Sequence, residues 1–243
     1  MTEPSTQNLF RVLDETWPPA RFVDQPPWML RAGAGGGQRV SAATAELHLI
    51  EADIDSAEAG MRALDQHPLF MLRPAEDLLD QWLEARNYEV VDPVAIYVMP
   101  TDPVMRDDAG TTVTNRWPPN PQTLSLWANG GIGQARIAVM ERASEPKTAL
   151  VATDEKETLG AAFIAISDSI AMLHALEVAP PARRRGLGKG LMQAASQWAA
   201  SNGANWLSLM VTRANTPANE LYRRLGMREV GAYHYRRAPK AKL

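Results

Sequence analysis

Residues 176–190 read LEVAPPARRRGLGKG, an apolar segment followed by a proline turn and a basic loop that contains three glycines. The next residues continue at helical spacing, with Leu187, Leu191, Ala195 and Ala199 on one side. The order predicts a strand, a loop and a helix with the glycines at its N-terminus. Free N–H groups and the positive end of the helix dipole attract anions there, and glycines allow a close approach. The stretch therefore indicates a phosphate site.

Positive charge surrounds the same loop, from Arg183, Arg184, Arg185 and Lys189. Guanidinium groups match phosphate oxygens, so a pyrophosphate or a 3′-phosphate is favoured over a neutral ligand. A basic strand-to-helix turn that binds nothing is the alternative.

A second unit lies downstream. Residues 205–212 predict a strand with Leu207, Leu209 and Val211 on one face, and a helix follows with Thr216 as its N-cap and Pro217 as its first residue. Gly226 is typical of the residue that ends a helix.

Together the two segments resemble the GNAT superfamily of N-acetyltransferases. The family's loop pattern is Gln or Arg, two residues, Gly, one residue, then Gly or Ala, and it is met by Arg183, Gly186 and Gly188. Its second block, N-x-x-A-x-x-L-Y-x-x-x-G, is met by Asn215, Ala218, Leu221, Tyr222 and Gly226. Met227 stands where an aromatic residue is usual. The resemblance covers roughly Thr148 to Met227.

The resemblance implies an α/β GNAT fold, with a mixed, mostly antiparallel central sheet flanked by helices and two GNAT-like halves. Residues 1–122 form the expected degenerate N-terminal half, which lacks the Arg-x-x-Gly-x-Gly loop, and residues 123–243 the acetyltransferase domain with the acyl-CoA site. Residues 100–123, rich in Pro, Asp and Gly, predict the linker. Because each half is short for a complete unit, we expect a shared sheet or interface.

Elsewhere the pattern predicts an irregular, proline-rich lead-in and then a strand at residues 28–30. Gly33 to Gly37 predict a turn and not a dinucleotide loop, because no helix follows at once. Helices are predicted over residues 55–66, 75–87 and 133–142, and strands over 88–99, 148–153, 160–166 and 170–178.

The activity implied is that of an acyl-CoA-dependent N-acyltransferase, with acetyl passing from acetyl-CoA to a primary amine by direct attack. The chain has no cysteine, which excludes a cysteine nucleophile and a thioester on the enzyme. A non-catalytic acyl-CoA-binding sensor or interaction module is the alternative.

By resemblance, the donor site has three parts. Pantetheine runs along Leu176 and Val178, whose main chain bonds to it, and the Val178 N–H polarises the thioester carbonyl. Asn215 contacts CoA or braces the strands, with a plain turn asparagine as the alternative. Backbone N–H groups of the loop hold the pyrophosphate, and they belong to Arg185, Gly186, Leu187, Gly188, Lys189 and Gly190. Arg184 adds positive charge, and the side chain of Arg183 either assists or points away.

Two residues are expected to carry the chemistry. Tyr222 gives a proton to the departing thiolate, and a buried core tyrosine is the alternative. Glu177 is the candidate base for the amine, and an exposed strand carboxylate is the alternative. Under regular alternation His174 shares a face with Leu176 and Val178 and is a packed histidine; His234 is expected at the surface.

Composition narrows the partners. The chain of 243 residues is 45% hydrophobic and 22% charged, with a net charge of −3, so a nucleic-acid partner is not expected. No leader is recognised and no run approaches the ~18 apolar residues of a membrane span. The default location is cytoplasmic, a homodimer is a weak expectation, and no metal is expected because His, Asp and Glu lack ligand spacing.

Overall fold

A computed structural model describes residues 2–46, 50–51, 53–104, 112–154 and 157–239. Its helices are α1 (Thr6–Thr16), α2 (Asp53–Ala63), α3 (Asp77–Ala85), α4 (Pro121–Asn129), α5 (Gln134–Arg142), α6 (Leu187–Ser201) and α7 (Thr216–Arg224). Its strands are β1 (Arg21–Gln25), β2 (Trp28–Ala32), β3 (Thr44–Ala45), β4 (Leu69–Leu72), β5 (Glu89–Pro100), β6 (Thr112–Arg116), β7 (Lys147–Asp154), β8 (Glu157–Ser167), β9 (Ile170–Val178), β10 (Trp206–Thr212) and β11 (Arg228–Arg237).

Eight strands form the central sheet, in the order β4-β11-β5-β10-β9-β8-β7-β6. Within it β9 and β10 run parallel, and the other neighbouring strands run antiparallel. The prediction of a mixed, mostly antiparallel sheet is confirmed. Strands β1, β2 and β3 make a separate small sheet, which packs with α2 around Trp28 and Ile54.

The N-terminal segment contributes to the central sheet. Strand β5 lies between β10 and β11 and pairs with both, and β4 pairs with β11 at the edge. Residues 1–122 and 123–243 therefore share one sheet. The division between them stays a prediction.

Helices cover both faces of this sheet. On one face α1, α4 and α5 bury Leu9, Val12, Trp127 and Met140 against it. On the other face α6 and α7 bury Leu191, Ala195 and Tyr222. The two layers are named below the α1 face and the α6 face.

Most predicted elements are confirmed within a few residues, but α1, α4, β1, β4 and β6 were not predicted. The expected irregular lead-in contains β1, and α1 precedes it; α1 begins after Ser5, whose side chain accepts a hydrogen bond from the Asn8 amide. The expected linker contains β6, which pairs with β7, and α4 begins at Pro121. The linker prediction is wrong for residues 112–116, because pairing to a neighbouring strand overrides a local excess of proline and glycine; residues 105–111 lie outside the described residues.

Candidate active site

Strands β9 and β10 diverge at the centre of the sheet. They pair from Ile170 with Trp206 to Leu173 with Leu209, and no further. Beyond that point β10 stays with β5, where Thr212 pairs with Val94, while β9 stays with β8 as far as Val178. The result is a fork between residues 174–178 and 210–212.

A β-bulge on the β9 arm of the fork changes which face of the sheet the following side chains occupy. The register between β8 and β9 shifts next to Ala175, which has a φ of 51°, and the indole N–H of Trp127 donates to the Ala175 carbonyl at 2.9 Å. His174 consequently packs on the α1 face, whereas Leu176 and Val178 pack on the α6 face. The expectation that His174 shares their face is wrong, because it assumed regular alternation.

Main-chain groups of β9 point into the fork. The Ala179 amide donates to the Leu159 carbonyl of β8 at 2.8 Å. Because hydrogen bonding alternates along an antiparallel ladder, the main-chain amide of Glu177 also points toward β8. The amide of Val178, which lies between them, then points away from β8 and into the fork. An extended ligand lying in the fork would meet this amide as it would meet a strand edge.

The basic loop ends at the N-terminus of α6. Gly186 caps that helix with a φ of 87°, a left-handed value that favours glycine. Gly190 is buried and its amide donates to the Gly186 carbonyl at 3.0 Å, which is the first bond of the helix. Helix geometry leaves the preceding amides, including those of Leu187 and Gly188, without an intrahelical acceptor.

The loop arginines differ in their contacts. Arg183 donates from Nε to the Val178 carbonyl and from a terminal nitrogen to Glu177, each at 3.1 Å. Arg185 lies 3.5 Å from Asp154 and is exposed. Arg184, at a φ of 66°, is exposed and lines the groove described next.

A groove of about 570 Å³ runs between this loop and α7. Arg185 and Gly190 lie outside its lining, and the other predicted site residues lie within it. These are Leu176, Glu177, Val178, Arg183, Arg184, Gly186, Leu187, Gly188, Lys189, Asn215 and Tyr222.

Tyr222 forms part of the groove wall and is only 6% exposed. Its ring centroid lies 6.0 Å from that of Tyr97. Burial raises the pKa of the Tyr222 hydroxyl to about 12, with a smaller opposing effect from the Arg39 charge. The hydroxyl is therefore a proton donor at neutral pH.

Two asparagines anchor α7 against the fork. Asn215 is the N-cap, since its side chain accepts from the Ala218 amide at 3.3 Å; the prediction that Thr216 caps the helix is wrong by one residue. Asn219 is buried and donates to the carbonyls of Thr212 and Asn215 at 2.9 and 2.8 Å. It also accepts from the Tyr97 hydroxyl at 3.1 Å. Asn219 thus joins α7 to the open end of β10.

Glu177 lies at the border between the two faces, with its side chain 19% exposed. The carboxylate pairs with Arg183, and the side chain lies against the backbone of Gly130. A Cβ added at Gly130 would approach the Glu177 Cγ and Cδ to 2.7 Å. The glycine therefore provides the space in which this carboxylate sits.

A cavity of about 270 Å³ reaches the fork from the α1 face. Its lining combines residues from the N-terminal segment with residues of both fork arms. They are Trp17, Gly36, Gly37, Gln38, Arg39, Asp92, Val94, Ile132, Arg136, His174, Ala175, Thr212 and Tyr235.

His174 is a buried wall residue of this cavity, stacked on Trp17 with ring centroids 4.9 Å apart. The Thr16 hydroxyl donates to the Val12 carbonyl, so the His174 Nε2, 3.0 Å from that hydroxyl, carries the hydrogen. Nδ1 is then an acceptor, and it has no partner among the described residues. Burial, with the nearby Arg39 charge, lowers the pKa of His174 well below its ordinary value, so the ring is neutral. His234, by contrast, is half-buried and lies 3.0 Å from Asp80.

In the parts of the chain that the structure covers, no three His, Asp or Glu side chains are arranged to hold a metal ion. Over the same residues, no helix has the length and apolarity needed to cross a membrane.

The fork has a basic, glycine-containing loop on one face and a cavity on the other, and the chain also matches a family model. The model of the acetyltransferase (GNAT) family matches residues 105–227, slightly more than half of the chain. The chain belongs to the GNAT family. This GNAT protein is an acyl-CoA-dependent N-acyltransferase of the acetyltransferase class, as the two motifs predicted.

Relatives of this GNAT protein include the uncharacterized N-acetyltransferase YobR of Bacillus subtilis, 24% identical over 93% of this chain and 96% of that protein. Streptothricin acetyltransferase of Streptomyces lavendulae is 28% identical over 45% of this chain and 59% of that protein.

Solved structures share the fold. A GCN5-related N-acetyltransferase from Kribbella flavida superimposes with a TM-score of 0.71 at 18% identity, covering 97% of this chain and 96% of the other. A tandem GNAT protein from the clavulanic acid biosynthesis pathway has a TM-score of 0.60 at 12% identity, covering 83% and 76%. The predicted α/β GNAT fold with a tandem-like organisation is confirmed.

The sequence did not reveal the cavity residues Trp17, Arg39 and Arg136, nor the anchor Asn219. The three cavity residues belong to segments without a motif, and they meet only through the fold. The sequence offered only a weak indication of Asn219. It is a polar residue one turn after Asn215, and a single polar residue disturbs the apolar face of α7 only slightly.

Proposed function

We propose that this chain transfers the acetyl group of acetyl-CoA to a primary amine, with CoA on the α6 face and the acceptor on the α1 face. The observation that carries the proposal is the fork, because its β9 arm borders both spaces: His174 and Ala175 line the cavity, and Leu176, Glu177 and Val178 line the groove. Two reactants held on opposite faces of one opening meet with little loss of orientation.

In this proposal the donor is bound mainly by backbone. The amides of Leu187 and Gly188 and the dipole of α6 receive the pyrophosphate, and Arg183, Arg184, Arg185 and Lys189 supply positive charge around it. Because Gly190 uses its amide within α6, the contacts come from the amides before it. Asn215, which caps α7 at the groove wall, is a further contact.

Acetyl-CoA supplies the acyl group as a thioester. The main chain of Leu176 and Val178 orients pantetheine, and the Val178 N–H faces the carbonyl oxygen. Glu177 accepts a proton from the amine, whose nitrogen then forms the bond to the carbonyl carbon as the carbon–sulfur bond breaks. Tyr222 gives its proton to the sulfur, and no acyl group is held on the enzyme.

The acceptor is the least constrained part of the proposal. Streptothricin belongs in a first panel, because a relative is a streptothricin acetyltransferase. We also keep a cytoplasmic location, a homodimer and the absence of nucleic-acid partners as parts of the proposal. Cell fractionation and the mass measured by light scattering test the first two.

The direct test is calorimetric titration with acetyl-CoA and with CoA, followed by an assay of thiol release with a panel of amines. Micromolar binding, about −8 kcal/mol, with thiol release that depends on an amine supports the proposal. Binding without turnover for any amine favours the sensor instead. No binding to the folded protein contradicts both.

A further inference from the structure

Arg39 brings a positive charge to the fork without a matching negative one. Its Nε donates to the Tyr233 hydroxyl at 3.2 Å and a terminal nitrogen donates to the Met210 carbonyl at 2.6 Å. Both acceptors are uncharged oxygens, and burial raises the pKa of the adjacent Tyr235 well above its ordinary value, so that phenol stays neutral. In the described ranges, no carboxylate lies within ion-pair distance of Arg39.

The position of this charge is informative. Met210 is the first residue of β10 beyond the segment that pairs with β9, so the bond to its carbonyl holds the guanidinium at the opening of the fork. Arg39 also lines the cavity on the α1 face. The charge therefore lies where an acceptor in that cavity would reach the donor.

A second arginine strengthens the field in the cavity. Arg136 lies over Gly37, where an added Cβ would be 3.5 Å from its Nε, and its one hydrogen bond to the described chain is to the Gly131 carbonyl, at 3.5 Å. Asp92, at the exposed edge, is the carboxylate among the lining residues. The lining thus carries two arginines and one acid.

Removing an arginine side chain from water costs free energy unless a negative charge lies beside it. Arginine cannot avoid this cost by becoming neutral, because its guanidinium does not lose its proton in proteins. Arg39 is half-buried and has five N–H groups, so it retains some beyond those bonded to Met210, Tyr233 and Tyr235. A ligand carboxylate would supply both the missing charge and the missing acceptors, in the pairing that guanidinium geometry favours. The buried His174 Nδ1, an acceptor without a partner, adds a second unmet polar group to the same wall.

We propose that the acceptor is a small amine that also bears a carboxylate, as an α-amino acid does, and that Arg39 binds the carboxylate while the amine faces the fork. This inference rests on the proposed function, since it assigns the acceptor of the same site. The volume of about 270 Å³ lies just under the range of roughly 300–1,000 Å³ for drug-sized ligands, which favours an acceptor of amino-acid size.

The test compares acceptors of matched shape, one with a carboxylate and one with a carboxamide. The amine of the amide has the lower pKa and is more often neutral, so this difference works against a preference for the acid. Glycine, methionine, phenylalanine and lysine are each assayed beside their carboxamides, with acetyl-CoA as donor. Because the chain has no cysteine, a thiol reagent reports released CoA without background from the protein. We expect kcat/KM for the preferred acid to exceed that for its amide by roughly 10- to 100-fold, the effect of a charge-assisted hydrogen bond.

Variants locate the preference at Arg39. Arg39→Gln is expected to raise KM for the acid much more than KM for the amide, and so to remove most of the difference between acid and amide. Arg39→Lys keeps the charge and is expected to retain part of the preference. The matched control is Arg21→Gln, an exposed arginine on β1 outside the cavity, which should leave the preference unchanged.

Three results would overturn the inference. They are equal or better turnover of the amides by the unmodified protein, an equal loss on acid and amide in Arg39→Gln, and turnover of other amines with no turnover of any carboxylate-bearing amine. Failure of the proposed function looks different, because then either acetyl-CoA does not bind or it binds and no amine of any kind releases CoA.

Discussion

The groove on the α6 face and the cavity on the α1 face are built in different ways. The groove takes its lining from two segments that lie close in the chain, residues 176–189 and 215–224, which hold the end of β9, the basic loop, the start of α6 and most of α7. The cavity joins Trp17, Arg39, Asp92, Arg136 and Tyr235, which are scattered over most of the chain. A donor site that serves one ligand can be encoded locally, whereas the acceptor site is assembled by the fold and is free to vary.

The two sites also differ in the groups they offer. The groove offers backbone amides at the N-terminus of α6 and the positive end of that helix dipole, and exposed cations surround them. In the cavity, side chains such as Arg39 and His174 are withdrawn from water with part of their hydrogen-bonding capacity unused. Substitutions on the two faces should therefore affect different kinetic constants.

The largest expected effect is on donor binding. Gly188→Trp places an indole at the loop, where even a Cβ would lie 3.1 Å from Leu221. We expect the Kd for acetyl-CoA to rise by roughly 1,000-fold, from about −8 toward about −4 kcal/mol, in a calorimetric titration. Gly133→Trp is the matched control, because Gly133 caps α5 in open space. Unchanged affinity in the Gly188 variant would contradict the loop assignment.

Next in size is the loss of the proton donor. Tyr222→Phe should lower kcat by about 100-fold or more, the usual contribution of a general acid, and leave the Kd for acetyl-CoA nearly unchanged. Since the pKa of Tyr222 is about 12, the wild-type rate should show no decline from this group up to about pH 10. Tyr88→Phe, in the small N-terminal cluster, is the control. An equal effect of both substitutions would assign Tyr222 to the core alone.

A third experiment examines the border between the faces. Glu177→Gln removes the charge, and Gly130→Ala displaces the carboxylate while keeping it, because the new Cβ would lie 2.7 Å from Glu177. If Glu177 is the base, kcat should fall by about 100-fold in the first variant and less in the second, since a general base contributes ~10²–10⁴-fold. At a φ of −84° alanine fits the backbone, so stability serves as the check. Full activity in both variants would exclude Glu177.

The smallest expected effect is on the way in which the free energy of unfolding depends on pH. The pKa of His174 is lowered in the folded state, so below about pH 6.5 the unfolded chain binds the extra proton and stability falls as pH falls. The contribution is about 1.4 kcal/mol for each pH unit below that value. Urea unfolding at several pH values should show a shallower pH dependence in His174→Gln. Identical slopes would mean that His174 is protonated when folded.

Several elements were predictable from sequence because their signal is local. Helix α6, strand β10 and the glycine that ends α7 follow from periodicity over a few turns and from capping residues. Helix α1 and strand β6 were missed, since α1 follows a short polar segment and β6 owes its conformation to pairing with β7. The bulge at Ala175 had no sequence signal, and one added residue reversed the face of His174.

The sequence by itself determined the family, the basic glycine loop before α6, the tyrosine of α7 and the order of the elements around them. It could do so because backbone geometry and helix periodicity act between near neighbours. Only the tertiary structure decided that β5 lies between β10 and β11, that Arg39 reaches the fork, and that His174 turns toward Trp17. Those contacts join residues far apart in the chain, and burial and pairing across the sheet select them where no local rule applies.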